Sequence, residues 1–334
     1  MRRAGGHLQA TGLPSILACA FALVPMLPLQ AQAQAFPSKA IRLVTGSQAG
    51  GGTDITARAI QQAVAPLLGV PVIVDNRPGT AGMVANEFVS KQPADGHVLL
   101  IQPGSFVTIS PQLNATPRWE TLKHLVPVVQ VSTYDLVLVA HPTVPARNVK
   151  ELVAFARAKP GMISFASSGV GSNFQLAGEL LKLEAKVDML HVAYRGSPPA
   201  VLDLVAGRVD TMFVHVPTVK GHIDAGRLRA LAMTGTQRNP LLPQVPTIAE
   251  SGLKAYEISG IEGILAPAGT PREVVARLNS VVGGALATPE MKASWASKAI
   301  EFVPNTPEQF AAKLQLDYDR TTALIKAAGI RPER

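Results

Sequence analysis

Two stretches of this chain are too long and too β-rich to be single ordinary strands. Val126–Ala140 is almost continuously apolar, and Tyr256–Ala266 repeats the pattern later. Strands in compact proteins usually stop at about five or six residues. Both stretches therefore read as crossovers between two lobes. Before the first, short apolar runs alternate with helical patterns. These are Ile41–Val44, a helix from Thr53 to Leu68 stopped by Gly69, Val72–Asp75, a helix from Gly82 to Lys91, and Val98–Ile101. This β-α-β-α-β order predicts a parallel sheet covered on both faces. After Ala140 the alternation restarts. Asn148 with Glu151 resembles a capping box. Strands follow at Ile163–Ala166, Met189–Val192, Val209–Val214 and Leu228–Met233, with helices at Asn173–Ala185 and Ser197–Gly207. Thr270-Pro-Arg-Glu273 and Thr306-Pro-Glu-Gln309 read as two further capping boxes, opening C-terminal helices that belong with the first lobe. The fold class is α/β: two doubly wound lobes, 36–133 with 257–334 and 134–256, joined by two crossover strands.

The N-terminus is a targeting segment. Arg2 and Arg3 precede the apolar stretch Ser15–Leu29, and Ala33-Gln34-Ala35 is a small-x-small cleavage signal before Phe36. This is a secretory signal peptide cleaved after Ala35, too short for a spanning helix. Cleavage leaves 334 − 35 = 299 residues, enough for two lobes with cores of their own. Cys19, the one cysteine, leaves with the signal. The mature chain then has no disulfide, thiolate metal site or cysteine nucleophile, which suits an oxidising bacterial periplasm. Losing Arg2 and Arg3 lowers the formal charge from +8 to +6, in keeping with a protein that attracts small anions. Nucleic acid is excluded by the lack of Lys/Arg runs and the few aromatics. The histidines show no metal-ligand spacing. No cofactor is expected, since Gly169-x-Gly171 has no third glycine at Phe174. A hydrolase is the rival reading, but Gly169-Val-Gly-Ser172-Asn173 is out of register for a nucleophile elbow.

In open α/β sheets the ligand sits beyond the carboxyl ends of the strands. The loops there are Gly46–Thr53, Pro103–Ser105, Ser167–Asn173, Tyr194–Ser197 and Val214–Thr218. Gly50, Gly51 and Gly52 follow a strand and open a helix. They either make a tight turn or aim unpaired N–H groups and a helix dipole at an anion. The facing small-polar loop, with Ser167, Ser168, Gly169, Ser172 and Asn173, favours the anion site. Thr53 is the expected N-cap and a candidate ligand contact, whereas Asp54 is structural. Ser47, Gln48 and Ala49 begin the specificity region, and Ser105 lies on a facing loop. Arg195 either holds a carboxylate or makes an ion pair. His215 either contacts ligand or is an ordinary loop histidine. Glu262 stands in the apolar run Ile258–Leu265 and needs a partner, either a ligand cation or a protein Arg or Lys. Arg77 orders its turn, and His191 belongs to the core.

Taken in order, Gly50-Gly-Gly-Thr-Asp54, Asp75-Asn-Arg-Pro-Gly79, Leu176-Ala-Gly-Glu179, His191-Val-Ala-Tyr-Arg-Gly-Ser197, Pro246-Thr-Ile-Ala-Glu250 and Leu265-Ala-Pro-Ala-Gly-Thr-Pro271 resemble the substrate-binding proteins of tripartite tricarboxylate transporters, the Bug receptors. The resemblance spans nearly the whole mature chain. It implies a type II-like periplasmic clamshell, acting as a monomer, that binds a small carboxylated solute. The solute would pass to an inner-membrane permease or a signalling partner. It further implies that backbone amides of Gly50–Thr53 and Ser167–Asn173 hold one carboxylate. The chain departs from the family pattern at Gly46–Ala49, where prolines and an aromatic are usual. It departs again at Val214-His215, in place of an acid and Asn, and at Ile261-Glu262, in place of Trp and a second aromatic. A cleft that has lost aromatic walls and gained an acid and an imidazole is the expectation.

Overall fold

The computed structural model describes residues 36–113, 120–297, 300–302 and 304–330. The expected signal peptide, residues 1–35, lies outside the described residues. Among the described residues no helix is long and apolar enough to cross a membrane.

The first half runs β1 (Ile41–Thr45), α1 (Gly52–Leu68), β2 (Val72–Asn76), α2 (Met83–Ser90) and β3 (Val98–Pro103). β2 and β3 flank β1 in parallel, as strands joined by crossover helices do. α1 buries Ala57, Ile60, Val64 and Leu68, the helical spacing that sets it on the sheet. Short helices α3 (Gly104–Thr108), α4 (Ser110–Leu113) and α5 (Thr121–His124) lead into β4 (Leu125–Ala140). The second half runs α6 (Val149–Ala158), β5 (Ser164–Ser167), α7 (Asn173–Ala185), β6 (Leu190–Ala193), α8 (Ser197–Val205), β7 (Thr211–His215), α9 (Val216–Asp224) and β8 (Arg229–Met233). β9 (Ser259–Pro267) returns, and α10 (Arg272–Leu286), α11 (Pro289–Ala296) and α12 (Pro307–Ala327) follow.

Both β-rich stretches are crossovers. The strand order is β2-β1-β3-β9-β4-β7-β5-β6, with β8 also on β4. Leu125–Asp135 of β4 pairs antiparallel with β9, and Leu136–Ala140 pairs with β7 and β8. A strand of 16 residues can serve two sheets in tandem because it changes partners at Leu136. Separate cores form on either side of that switch. One runs from Tyr134 to Tyr256 and includes Leu138, Phe165 and Phe213. The others gather Ile60, Ile101 and Trp295, and Leu100, Leu265 and Phe310. A small fourth cluster joins Ile109 and Leu113 to Leu176, with Leu324 and Ile325 from the end of α12 packed on it.

The caps explain where several helices start. Asn148 Oδ1 accepts from the Glu151 amide at 2.9 Å, while the Glu151 carboxylate accepts from the Arg147 amide at 2.7 Å. Thr306 and Gln309 form the expected capping box. The box expected at Thr270 does not form. Thr270 Oγ1 donates to the Pro267 carbonyl at 2.7 Å, and Pro271 caps α10.

Candidate ligand-binding site

Three helices of eight residues or more, α1, α7 and α8, begin on one cleft, at Gly52, Asn173 and Ser197, and His215, the residue before α9, lines it too. A helix start leaves its first amides without intrahelical partners and carries a partial positive charge. The cleft encloses about 380 Å³, a size for a small organic molecule. Among the described residues no Asp or Glu lines it, and Arg195 is the one permanently charged side chain that does. That guanidinium is exposed, with no salt bridge among the described residues.

Ten of the sequence candidates line the cleft: Ser47, Gly52, Thr53, Ser105, Ser168, Gly169, Ser172, Asn173, Arg195 and His215. Six do not. Ala49 and Gly50 are exposed outside it, and the Gly50 amide is spent on Asp54 Oδ2 at 3.0 Å. The Gly51 amide donates to the Gln48 carbonyl at 3.0 Å. The amides free to meet an anion are thus those of Gly52 and Thr53, one step further along than the glycine run implied. Gln48 packs beside Gly196 on the opposite lip, where a Cβ would sit 3.2 Å from its Cδ. Ser167 is buried, with Oγ 2.7 Å from His191 Nε2. This serine–histidine pair is off the cleft, and burial followed by the Lys182 charge holds His191 near a pKa of about 4.

Glu262 is the sixth, and among the described residues hydroxyls stand where a protein Arg or Lys was the expected protein partner. Its carboxyl is 1 % exposed and meets hydroxyls: Thr53 Oγ1 donates to Oε1 at 2.6 Å, Ser132 Oγ to Oε2 at 3.1 Å, and Thr56 also bonds it. Burial raises its pKa against those three hydrogen bonds. Thr53 is accordingly not the N-cap. Gly51 is, and the Thr53 hydroxyl turns to Glu262 while the residue lines the cleft. Asp54 is structural, as expected. Burial opposes its charge, but Arg58, the Gly50 amide and Asn76 outweigh that and hold its carboxyl below the usual range. His215 is a wall. Its ring lies 4.3 Å from Tyr134 and 5.4 Å from Phe174, and burial lowers its pKa to about 4, so it is neutral.

The profile described as "Tripartite tricarboxylate transporter family receptor" matches residues 56–330. A protein from the tcbD-tcbE intergenic region of Pseudomonas sp. (strain P51) is 40% identical over 292 residues, 87% of each chain. The chain belongs to this receptor family. Among solved structures, an R. palustris protein with adipate superposes with a TM-score of 0.86 at 30% identity, covering 89% of this chain and 100% of that one. MatC from Rhodopseudomonas palustris, with bound malate, gives 0.81 at 27% identity, covering 87% and 100%. The receptor is thus a solute-binding protein of the two-lobed periplasmic type, not a member of an enzyme family.

The sequence missed part of the receptor's cleft. Phe106, Tyr134 and Phe174 line it beside Tyr194 of the expected loop, so aromatic walls are present but come from other elements than the family pattern led one to expect. The turn Pro78–Gly82 also lines it, with Thr80 at φ 45° and Ala81 at φ 43°. Two successive non-glycine residues in the left-handed region store strain of about 1–3 kcal/mol each, a feature of ligand clamps. Gln102, fully buried, holds this turn to the glycine loop. Its Oε1 accepts from the Gly46 amide and its Nε2 donates to the Gly82 carbonyl, both at 3.2 Å. Across the cleft, Ser110 Oγ lies 2.8 Å from the Ala81 carbonyl and 3.3 Å from that of Gly171.

Proposed function

We propose that this receptor closes on a small organic acid and delivers it to an inner-membrane permease of the tripartite tricarboxylate type. One carboxylate sits against the Gly52 and Thr53 amides on one side and the start of α7 at Asn173 on the other. Arg195 takes a second anionic group. The observation that carries this reading is the convergence of three helix N-termini on a cleft whose wall, among the described residues, holds an arginine without a salt bridge and no carboxylate. The neighbours bound to adipate and malate give the class of acid to try first. The lobes are 36–133 with 257–334 and 134–256, in keeping with the cores that part near Tyr134 and Tyr256. The mature receptor starts at Phe36 after export to the periplasm and acts as a monomer.

A thermal-shift panel of mono-, di- and tricarboxylates tests this. A ligand at a hundred times its Kd stabilises by about 2.7 kcal/mol. Arg195→Gln should weaken dicarboxylates more than monocarboxylates. A panel in which no carboxylate shifts the transition, while an amine or sugar does, overturns the reading.

A further inference from the structure

Thr53 faces two ways. It lines the cleft, and its hydroxyl lies 2.6 Å from a buried carboxyl that is not part of the cleft wall. That carboxyl, Glu262, sits in register with Ser132 of β4 and Pro103 of β3, so it ties the start of α1 to both crossover strands. Among the described residues no Lys or Arg pairs with it, and its bonds are to three hydroxyls. We propose that Glu262 is a positioning residue that supports the anion site only while it carries its proton, so that anion affinity falls as Glu262 ionises. This rests on the reading of the cleft given above.

The physics is direct. A neutral carboxyl behind Thr53 holds the first turn of α1 through the Thr53 and Thr56 hydroxyls and leaves the helix dipole intact. Once ionised, it places a negative charge one side chain from the bound carboxylate, in a poorly screened interior. A bound anion disfavours that ionisation further. Affinity is therefore highest below the pKa of the empty protein, and falls as pH rises towards the pKa of the complex. The other groups around Glu262 do not mimic this. His215 titrates near 4, Asp54 is held low, and Tyr134 is pushed well above its ordinary value by burial and then by the Glu262 charge. Asp135 and Asp317 are raised by burial, and Glu301 pairs with Thr133 beyond β4. All three remain in a Glu262 variant, so any slope they cause would remain too.

The test has two readouts on the full mature chain between about pH 5 and pH 9. In the unliganded protein, the Gly52 and Thr53 amide resonances should follow one titration that Glu262→Gln abolishes. With adipate and malate as probes, Kd should rise about tenfold or more across that titration in the natural chain, and stay flat in Glu262→Gln with its low-pH affinity kept. Thr53→Val removes one bond to the carboxylate and should move the inflection to higher pH, which serves if Glu262→Gln does not fold. Amides that do not titrate, or a Kd slope equal in Glu262→Gln, overturn the proposal. If neither probe binds at any pH, the ligand class is wrong, and the amide titration still decides the role of Glu262.

Discussion

Gly52→Ala should separate binding from stability. Gly52 is the first residue of α1 and sits against the His215 ring from across the cleft. A Cβ there would lie 2.6 Å from His215 Cε1 and 3.2 Å from Cγ, and closer still to Nδ1. The ring cannot retreat cheaply, because Tyr134 and Phe174 hold its faces. Forcing an added methyl into a packed site costs typically about 1–3 kcal/mol. If that cost falls on the closed form alone, about 3 kcal/mol corresponds to a loss of roughly a hundredfold in affinity. The open form gains instead, since alanine is better by up to about 1 kcal/mol than glycine in a helix. Calorimetric titration with adipate or malate reads the first quantity and unliganded melting reads the second. His215→Ala in the same chain opens the space, so the double variant should recover much of the loss, a coupling measurable by a double-mutant cycle. Wild-type affinity in Gly52→Ala, or no recovery in the double variant, refutes the idea that the His215 ring excludes a side chain at Gly52 from the ligand-binding form.

Gln102→Leu should destabilise by about 1–3 kcal/mol, because it leaves the Gly46 amide and the Gly82 carbonyl without their buried partner; urea unfolding measures it, and affinity should fall with it as the two loops part. Acid should unfold the receptor through His215 and His191. Both fold neutral with pKa values of about 4, below the unfolded value of about 6.5, so the stability they contribute is complete above pH 6.5 and is lost as pH falls towards 4. Melting temperatures between pH 7 and about pH 4 check this, and His215→Phe should flatten part of the slope.

How much of this was legible in the sequence depended on whether a residue's partners were local. α1, α7 and the capping boxes at Asn148 and Thr306 follow from spacing and side-chain type within one turn. The two crossovers declared themselves by length. What failed were the readings of Thr53 and Glu262, whose side-chain partners lie far along the chain. Thr53 looked like an N-cap because nothing nearby shows that Glu262, 209 residues on, claims its hydroxyl. Glu262 looked in want of a cation because the hydroxyls of Thr53, Thr56 and Ser132 meet only once α1 is laid across β4 and β9. The Thr270 box failed for a different reason. The Pro267 carbonyl three residues back competes for the same hydroxyl, and a sequence pattern cannot weigh the two.

That asymmetry says where ligand choice resides. The amides of Gly52 and Thr53 and the start of α7 follow from local geometry, and any chain with these turns would present them to an anion. The surroundings that distinguish this receptor are assembled from afar. Tyr134 arrives on a crossover strand, its hydroxyl bonded to Asn173 of α7. Phe106 follows β3, and its carbonyl is held by Asn86 at 2.8 Å. His215 fills the place beside Gly52 that any larger residue would contest. Swapping the glycine loop alone between relatives should therefore alter how tightly a carboxylate is held more than which acid is chosen. On the proposed reading, exchanges at Tyr134, Phe174 and His215, which line the cleft from distant elements, are the ones that should change which acid is bound.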